Sequence, residues 1–132
     1  MKKNITILYV DDEKINLTLF ELSFDPMYNV ISAISGEEGL LKLEDHKDDI
    51  IVVISDMRMP KMNGIEFIKE ARKEHLNIAY FILTAFDYNE EIDDAFKKNI
   101  IQKFFSKPFK IKEIQEAVHE AVEELGLADR LK

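Results

Sequence analysis

Three acidic residues follow two of the most apolar segments of the chain. Asp56 comes just after the run 52–54, and Pro60 stands four residues later, whereas Asp11 and Asp12 directly follow the first apolar run. Ligands of open α/β sheets bind outside the carboxyl ends of the strands, so these acids are expected at one rim. Asp11 and Asp12 alone are equally typical of a helix start. Three adjoining carboxylates, however, call for a cation or for raised pKa values, and Mg²⁺ suits such oxygen ligands.

A hydroxyl and an ammonium group follow two further apolar runs. Thr84 alone predicts only a local hydrogen bond, and Lys107 alone predicts a solvated surface lysine. The isomer of the bond between Lys107 and Pro108 stays open, because most bonds before proline are trans. Together with a cation, these groups could neutralise a phosphoryl group in transfer. A carboxylate beside them can act as the nucleophile, and Asp56 is the candidate because it ends the most apolar run.

The elements that would position these side chains are predicted from hydrophobic patterning. Five runs have the length of strands: 5–10, 28–33, 50–54, 78–83 and 100–105. The third and fourth are almost wholly apolar, as expected where helices cover both faces of a sheet, whereas the second and fifth are more mixed and suit edge strands. Segments with helical periodicity separate the runs. This alternation predicts right-handed βαβ units and a doubly wound parallel sheet.

The helical segments carry start and stop signals. Four apolar residues mark the first helix, which is predicted to end at Asp25-Pro26: Ile15, Leu19, Leu22 and Phe24. Three polar side chains are predicted to precede or cap the next helices: Ser35, Asn63 and Asp87. Pro108 is predicted to open the last helix, which stops near Gly126.

The composition of the chain excludes several kinds of site and several classes of protein. The chain has 132 residues, which is the size of one domain. It contains no cysteine, which excludes disulfides and thiolate metal sites and suits the cytoplasm. No apolar run approaches the roughly 20 residues that span a bilayer. The net charge of -8 argues against a nucleic-acid-binding surface.

Four motifs together resemble the receiver domain of two-component response regulators, of the chemotaxis-regulator type. They are Tyr9-Val10-Asp11-Asp12-Glu13, Ser55-Asp56-Met57-Arg58-Met59-Pro60 with Gly64, Leu83-Thr84-Ala85, and Ser106-Lys107-Pro108-Phe109. The resemblance covers about residues 5–124. It implies a flavodoxin-like (βα)5 three-layer sandwich with a five-stranded parallel sheet of order 2-1-3-4-5.

The resemblance also implies roles at the acidic rim. Asp56 would be the phosphoacceptor and a ligand of Mg²⁺, with Mn²⁺ as a possible substitute. Asp12 would bind the ion directly, and Asp11 would act close by or through water. The backbone carbonyl of Arg58 would be a further ligand.

A second set of implied roles concerns switching. Thr84 would follow the phosphoryl group on activation, Lys107 would contact a phosphoryl oxygen, and Phe104 matches a switch aromatic. The face of the fourth helix, fifth strand and fifth helix would carry the signal or a dimer contact, with Ile92, Phe96 and Phe104 either on that face or in the core.

The chain departs from the usual family pattern at several positions. Asn99-Ile100 stands where the family usually has Gly-Ala, and Phe104 lacks the hydroxyl of the frequent tyrosine. Arg58 and Phe86 occupy positions that tune phosphoryl lifetime in the family. The sign of their effect stays open.

The leading hypothesis is a phosphorylation switch rather than an enzyme with turnover. A sensor histidine kinase or phosphotransfer protein would supply the phosphoryl group, and a downstream protein or fused output domain would receive the signal, without direct nucleic-acid or membrane contact. The receiver domain is predicted at 1–125, with 126–132 as a tail or the start of a linker.

Two alternatives come from other classes. A metal-dependent phosphohydrolase with an Asp nucleophile would need a second acid two residues later, where Arg58 stands. A flavodoxin-like cofactor binder would need a phosphate-binding loop after the first strand, where Asp11 and Asp12 would repel phosphate.

Overall fold

Five strands alternate with five helices in the computed structural model, which describes residues 4–85 and 89–131. The strands are β1 (Thr6–Val10), β2 (Asn29–Ala33), β3 (Ile50–Asp56), β4 (Ala79–Thr84) and β5 (Lys103–Ser106). The helices are α1 (Lys14–Phe24), α2 (Gly36–Asp45), α3 (Gly64–Arg72), α4 (Glu90–Lys97) and α5 (Ile111–Glu124). A short 3-10 helix, Ala128–Leu131, follows α5.

The strands form one parallel sheet of order β2-β1-β3-β4-β5. The predicted fold and strand order are therefore confirmed. The mixed strands β2 and β5 lie at the two edges, as their composition predicted. Central strand β3 is buried along its whole length, which agrees with helices on both faces.

Two apolar clusters lie on opposite faces of the sheet. Phe20 and Phe24 of α1 and Val118 of α5 belong to one cluster. Leu43 of α2 and Phe67 of α3 belong to the other, together with residues of α4. Burial on both sides holds the sheet between two helical layers and fixes the positions of its strand ends.

The first helix exposes most of the apolar residues by which it was predicted. Ile15, Leu19 and Leu22 are 68%, 52% and 71% exposed, whereas Phe20 and Phe24 are fully buried. The helix is observed as predicted, but only Phe24 of the four residues that marked it is buried in the core. The stacking of Phe20 on Tyr9, with ring centroids 4.1 Å apart, shows why, since this aromatic contact orients the other face of the helix toward the sheet.

Local capping explains where three helices begin. Ser35 caps α2 by accepting a hydrogen bond from the backbone of Glu38, and Asn63 forms a capping box with Glu66. Helix α4 is capped by Asn89, whose side chain accepts from two backbone N–H groups. The predicted cap, Asp87, is therefore wrong, and that residue lies outside the described part of the chain.

The last helix begins later than predicted. Pro108 does not open α5, because the chain bends at Lys107 and Pro108, Lys110 is extended, and the helix starts at Ile111. Phe109 instead contacts the rings of Phe20 and Phe24. Beyond Gly126, Leu127 and Leu131 pack against the core. The domain boundary at residue 125 stays a prediction.

In residues 4–85 and 89–131, no helix combines the length and the apolar character that a membrane span requires.

Candidate functional site

Asp56 is the last residue of β3 and is only 8% exposed. Its Oδ1 accepts a hydrogen bond of 2.9 Å from the backbone N–H of Met57. Burial raises the pKa of Asp56 to about 6, the Lys107 ammonium opposes this rise, and the charge of Asp11 adds to it. A buried carboxylate with a raised pKa at a strand end is a candidate functional group.

The close approach of α3 to the end of β3 depends on Gly64. The backbone N–H of Gly64 donates to the carbonyl of Met57 at 2.8 Å. A Cβ atom at this position would collide with the backbone carbonyl of Asp56 and with Ile82. Gly64 therefore lets the helix begin directly beside the candidate phosphoacceptor.

The register of the sheet brings Asp11 and Asp12 to the same rim. Val10 pairs with Ser55 in the parallel ladder of β1 and β3, so Asp11 follows β1 at the level of Asp56. Carboxylate oxygens of Asp11, Asp12 and Asp56 lie within 4.8 Å of one another. Asp11 is fully buried, whereas Asp12 is half-buried. The predicted convergence of three acids is observed.

Lys107 brings a cation into contact with these acids. Its Nζ atom lies 3.0 Å from Oδ2 of Asp11 and 3.4 Å from Oδ1 of Asp56. Burial lowers the pKa of Lys107, but the hydrogen bond to Asp11 and the charges of Asp56 and Asp11 outweigh it, so its pKa lies above the ordinary value. The bond between Lys107 and Pro108 is cis.

Thr84 ends β4 beside this group. It is 3% exposed and pairs with Ser106 of β5, and its carbonyl accepts the backbone N–H of Lys107 at 2.7 Å. Because Leu83 pairs with Asp56, Thr84 lies one position beyond the candidate phosphoacceptor along the neighbouring strand. Thr84 therefore lies at the same rim as Asp56, and its role there stays a prediction.

The other predicted residues lie around the site or away from it. Arg58 is exposed two residues after Asp56, and Phe86 lies outside the described residues. Phe104 is 43% exposed and contacts Phe96, itself 41% exposed, edge to face at 5.4 Å. Ile92 is 3% exposed and belongs to the core.

Sequence reasoning assigned no role to Tyr9, yet this side chain reaches the acids. Its hydroxyl donates a hydrogen bond of 2.8 Å to Oδ2 of Asp11. Residues two apart on a strand project to the same side, so a tyrosine two positions before Asp11 was the available signal.

The donor set fits a hard divalent cation. Three carboxylates face one lysine ammonium, which leaves net negative charge in a largely buried place. Oxygen ligands of this kind are those that Mg²⁺ prefers. A phosphohydrolase would need an acid at position 58, where the exposed Arg58 has the opposite charge.

Comparisons with known proteins agree with this geometry. The chain matches the response regulator receiver domain family over residues 7–119. It is 38% identical over 117 residues to the alkaline phosphatase synthesis transcriptional regulatory protein PhoP of Bacillus subtilis, spanning 87% of this chain and 47% of that protein. It is 32% identical over 116 residues to sporulation initiation phosphotransferase F of Bacillus subtilis, spanning 87% of this chain and 91% of that one.

A solved structure repeats the fold. The receiver domain protein from Clostridium thermocellum superposes with a TM-score of 0.83 at 28% identity, covering 93% of this chain and 98% of that chain. The chain spans less than half the length of PhoP, so the function of the rest of that regulator is not assigned to this chain. The family match covers most of the chain and includes the acids of β1 and β3 together with Lys107. The resemblance carried by the four motifs is thereby confirmed, and the chain belongs to the response regulator receiver domain family.

Proposed function

We propose that this receiver domain is a cytoplasmic phosphorylation switch in which Asp56 accepts a phosphoryl group from a phosphohistidine of a sensor kinase or phosphotransfer protein. The observation that carries the proposal is the contact of one cation, Lys107, with two of three converging carboxylates. Together with a divalent cation held by the acids, this ammonium group would neutralise the charge that develops in phosphoryl transfer.

The bonds that form and break in the transfer step belong to Asp56 and to the donor. A carboxylate oxygen of Asp56 forms a bond to phosphorus while the bond between phosphorus and the imidazole nitrogen breaks. The electron pair of that bond stays on the nitrogen of the donor histidine. The hydrogen bond from Met57 to Oδ1 holds the carboxylate in place, which favours attack from one orientation.

The acidic residues would hold Mg²⁺ during this reaction. The side chains of Asp12 and Asp56 and the backbone carbonyl of Arg58 are the proposed ligands, with Asp11 close by or acting through water. When bound, the ion neutralises charge on phosphoryl oxygens. Mn²⁺ offers the same preference for oxygen ligands.

New charge on Asp56 would redirect Lys107. An aspartyl phosphate carries about -1.5 to -2 charges on its phosphoryl oxygens, in place of the single charge of the free carboxylate, so the ammonium moves its contact from the carboxylates to a phosphoryl oxygen. Thr84, on the neighbouring strand, supplies the hydroxyl that follows the same group. Phe104 then turns inward and changes the exposed face that it shares with Phe96, which biases a two-state element toward output or dimer contact.

The exposed face of α1 would receive the phosphohistidine donor. Leu19 and Phe109 line a groove that Lys107 and Pro108 also line, so this groove is continuous with the site. A helix that carries the donor histidine and seats apolar side chains here would place its imidazole over the rim. Basic residues around the donor would complement the net charge of -8.

The direct test is phosphorylation with a small phosphodonor such as acetyl phosphate in the presence of Mg²⁺. The wild-type protein should acquire one acid-labile, base-sensitive phosphoryl group, and Asp56→Asn should acquire none. Asp48→Asn is the matched control, because Asp48 is an exposed acid in the turn after α2, and it should behave as the wild type. Phosphate uptake by Asp56→Asn would show that the acceptor is a different residue.

A further inference from the structure

Asp11 is surrounded by hydrogen-bond donors that all belong to the protein. Its Oδ2 accepts from the Tyr9 hydroxyl at 2.8 Å and from Lys107 at 3.0 Å. Its Oδ1 accepts from the backbone N–H of Glu13 at 3.0 Å and from the Asn16 amide at 3.4 Å. A carboxylate offers about four lone-pair positions. Asp11 is therefore saturated without any ligand.

Saturation distinguishes Asp11 from the other two acids. To bind a cation directly, Asp11 would have to give up one of these four donors. Lys107 is the donor that phosphorylation would remove, whereas Tyr9 is held in place by its ring, which stacks on Phe20 in the core.

We infer that Tyr9 is a positioning residue that weakens divalent-cation binding at the phosphorylation site, because its hydroxyl occupies Oδ2 of Asp11 and keeps this carboxylate from binding the ion directly. The inference rests on the proposed function, since it assumes that Asp11, Asp12 and Asp56 form the cation site. Tyr9 is not one of the three acids, yet it would control the affinity of the site for the cation.

Removal of the hydroxyl separates this role from packing. Tyr9→Phe keeps the ring on Phe20 and deletes only the donor. One lone pair of Oδ2 then loses its partner in a buried place, so the negative charge of Asp11 is less stabilised in the metal-free protein. The free energy of binding a cation at Asp11 is therefore more favourable in Tyr9→Phe than in the wild type.

The test is the dissociation constant for Mg²⁺, measured by calorimetry on unphosphorylated protein. Tyr9→Phe should bind Mg²⁺ more tightly by about 2- to 10-fold, the range that corresponds to one hydrogen bond. The matched control is Tyr80→Phe, because Tyr80 is also buried on a central strand and donates to the carbonyl of His75 at 2.6 Å. Tyr80 lies four residues before Thr84 on β4, about 13 Å from the rim, so the control should leave the constant unchanged.

A second variant covers the case in which Tyr9→Phe does not fold. Asn16→Ala removes the longest of the four hydrogen bonds to Asp11 from a half-buried position on α1. It should tighten Mg²⁺ binding by a smaller factor than Tyr9→Phe. The rise in melting temperature on adding Mg²⁺ should follow the same order, because at a given Mg²⁺ concentration a tighter site stabilises the folded state more.

The possible outcomes separate the inference from the proposed function. If the wild type binds Mg²⁺ and Asp12→Asn abolishes binding, but neither Tyr9→Phe nor Asn16→Ala tightens it, the inference on Tyr9 is wrong and the switch proposal stands. Weaker binding in Tyr9→Phe would also overturn the inference. If the wild type binds no Mg²⁺, both are overturned.

Discussion

The Nζ atom of Lys107 lies 3.0 Å from Oδ2 of the fully buried Asp11. The same atom is 3.4 Å from Asp56, so one ammonium group compensates two carboxylates from different strands. Because β1, β3 and β5 are separated along the chain, this contact ties the two halves of the sheet together at its carboxyl edge. It also means that the metal-free site is already organised around its only observed cation among the described residues.

Loss of this ammonium should destabilise the fold. Lys107→Met keeps much of the side-chain volume but leaves Asp11 buried without its charged partner, so the free energy of unfolding should fall by about 2 to 4 kcal/mol. Urea denaturation in EDTA measures this change. Lys47→Met is the matched control, because Lys47 pairs with Glu44 at 3.2 Å on the surface, and its effect should stay below about 0.5 kcal/mol. Equal effects of both substitutions would contradict the structural role of Lys107.

Because the pKa of Asp56 is raised, replacing its carboxylate with a neutral amide should stabilise the fold by an amount that depends on pH. The folded-state pKa of about 6 lies above the ordinary value of 3.8, so between these values the native state binds the proton and the unfolded state does not. The wild type therefore loses stability as pH rises through this window. In EDTA at pH 7.5, Asp56→Asn should be more stable than the wild type by about 1 to 3 kcal/mol.

This advantage of Asp56→Asn should shrink toward zero near pH 4, where the native carboxyl is protonated. Urea denaturation at both pH values provides the comparison, with Asp48→Asn as an exposed acidic control. An advantage of the same size at both pH values would show that the effect comes from the amide itself and not from the cost of a buried charge.

Gly64 should tolerate no side chain. In Gly64→Ala the added methyl group meets the carbonyl of Asp56 and the side chain of Ile82, so α3 must shift at the site. The free energy of unfolding should fall by about 2 kcal/mol or more, and phosphorylation by acetyl phosphate should slow with it. At Gly36 the three atoms nearest to an added methyl group all belong to the flexible side chain of Met62, so Gly36→Ala is the control. A Gly64→Ala protein with wild-type melting temperature would contradict the close approach.

A substitution on the exposed face of α1 should slow phosphorylation by a protein donor but not by a small phosphodonor. Leu19 is 52% exposed, so Leu19→Asp should leave stability within about 0.5 kcal/mol of the wild type. Phosphorylation by acetyl phosphate should be unchanged, whereas transfer from a purified histidine kinase that phosphorylates the wild type should slow at least about 10-fold. Leu41→Asp, on α2 and 67% exposed, should affect neither reaction. An equal loss with both donors would place the defect in the site itself.

Several parts of the site were predictable because they depend on local pattern. Asp56, Thr84 and Lys107 each follow an apolar run, and parallel strands linked by helices place their carboxyl ends at one edge. Which side chains of the site contact one another was not predictable. Whether Lys107 contacts Asp11, Asp56 or solvent depends on distances across three strands, which no local pattern encodes.

The helices show where pattern alone misleads. The periodicity of Ile15, Leu19 and Leu22 predicted α1 but not its orientation, because a helix with apolar residues on two faces can bury either one. The stacking of Phe20 on Tyr9 decides which face is buried. The cap of α4 was misassigned to Asp87 because Asn89, two residues later, is an equally suitable cap by residue type.

The sequence by itself determined the alternation of strands and helices, the edge positions of β2 and β5, and the acids that reach the rim. These features depend on hydrophobic periodicity and on residues next to strand ends. Only the tertiary structure decided that Lys107 joins the neighbouring donors around Asp11, and that α1 leaves an apolar face open beside Phe109. These relations arise from packing between elements far apart in the chain, where a shift of one helical turn or one strand register would replace every contact.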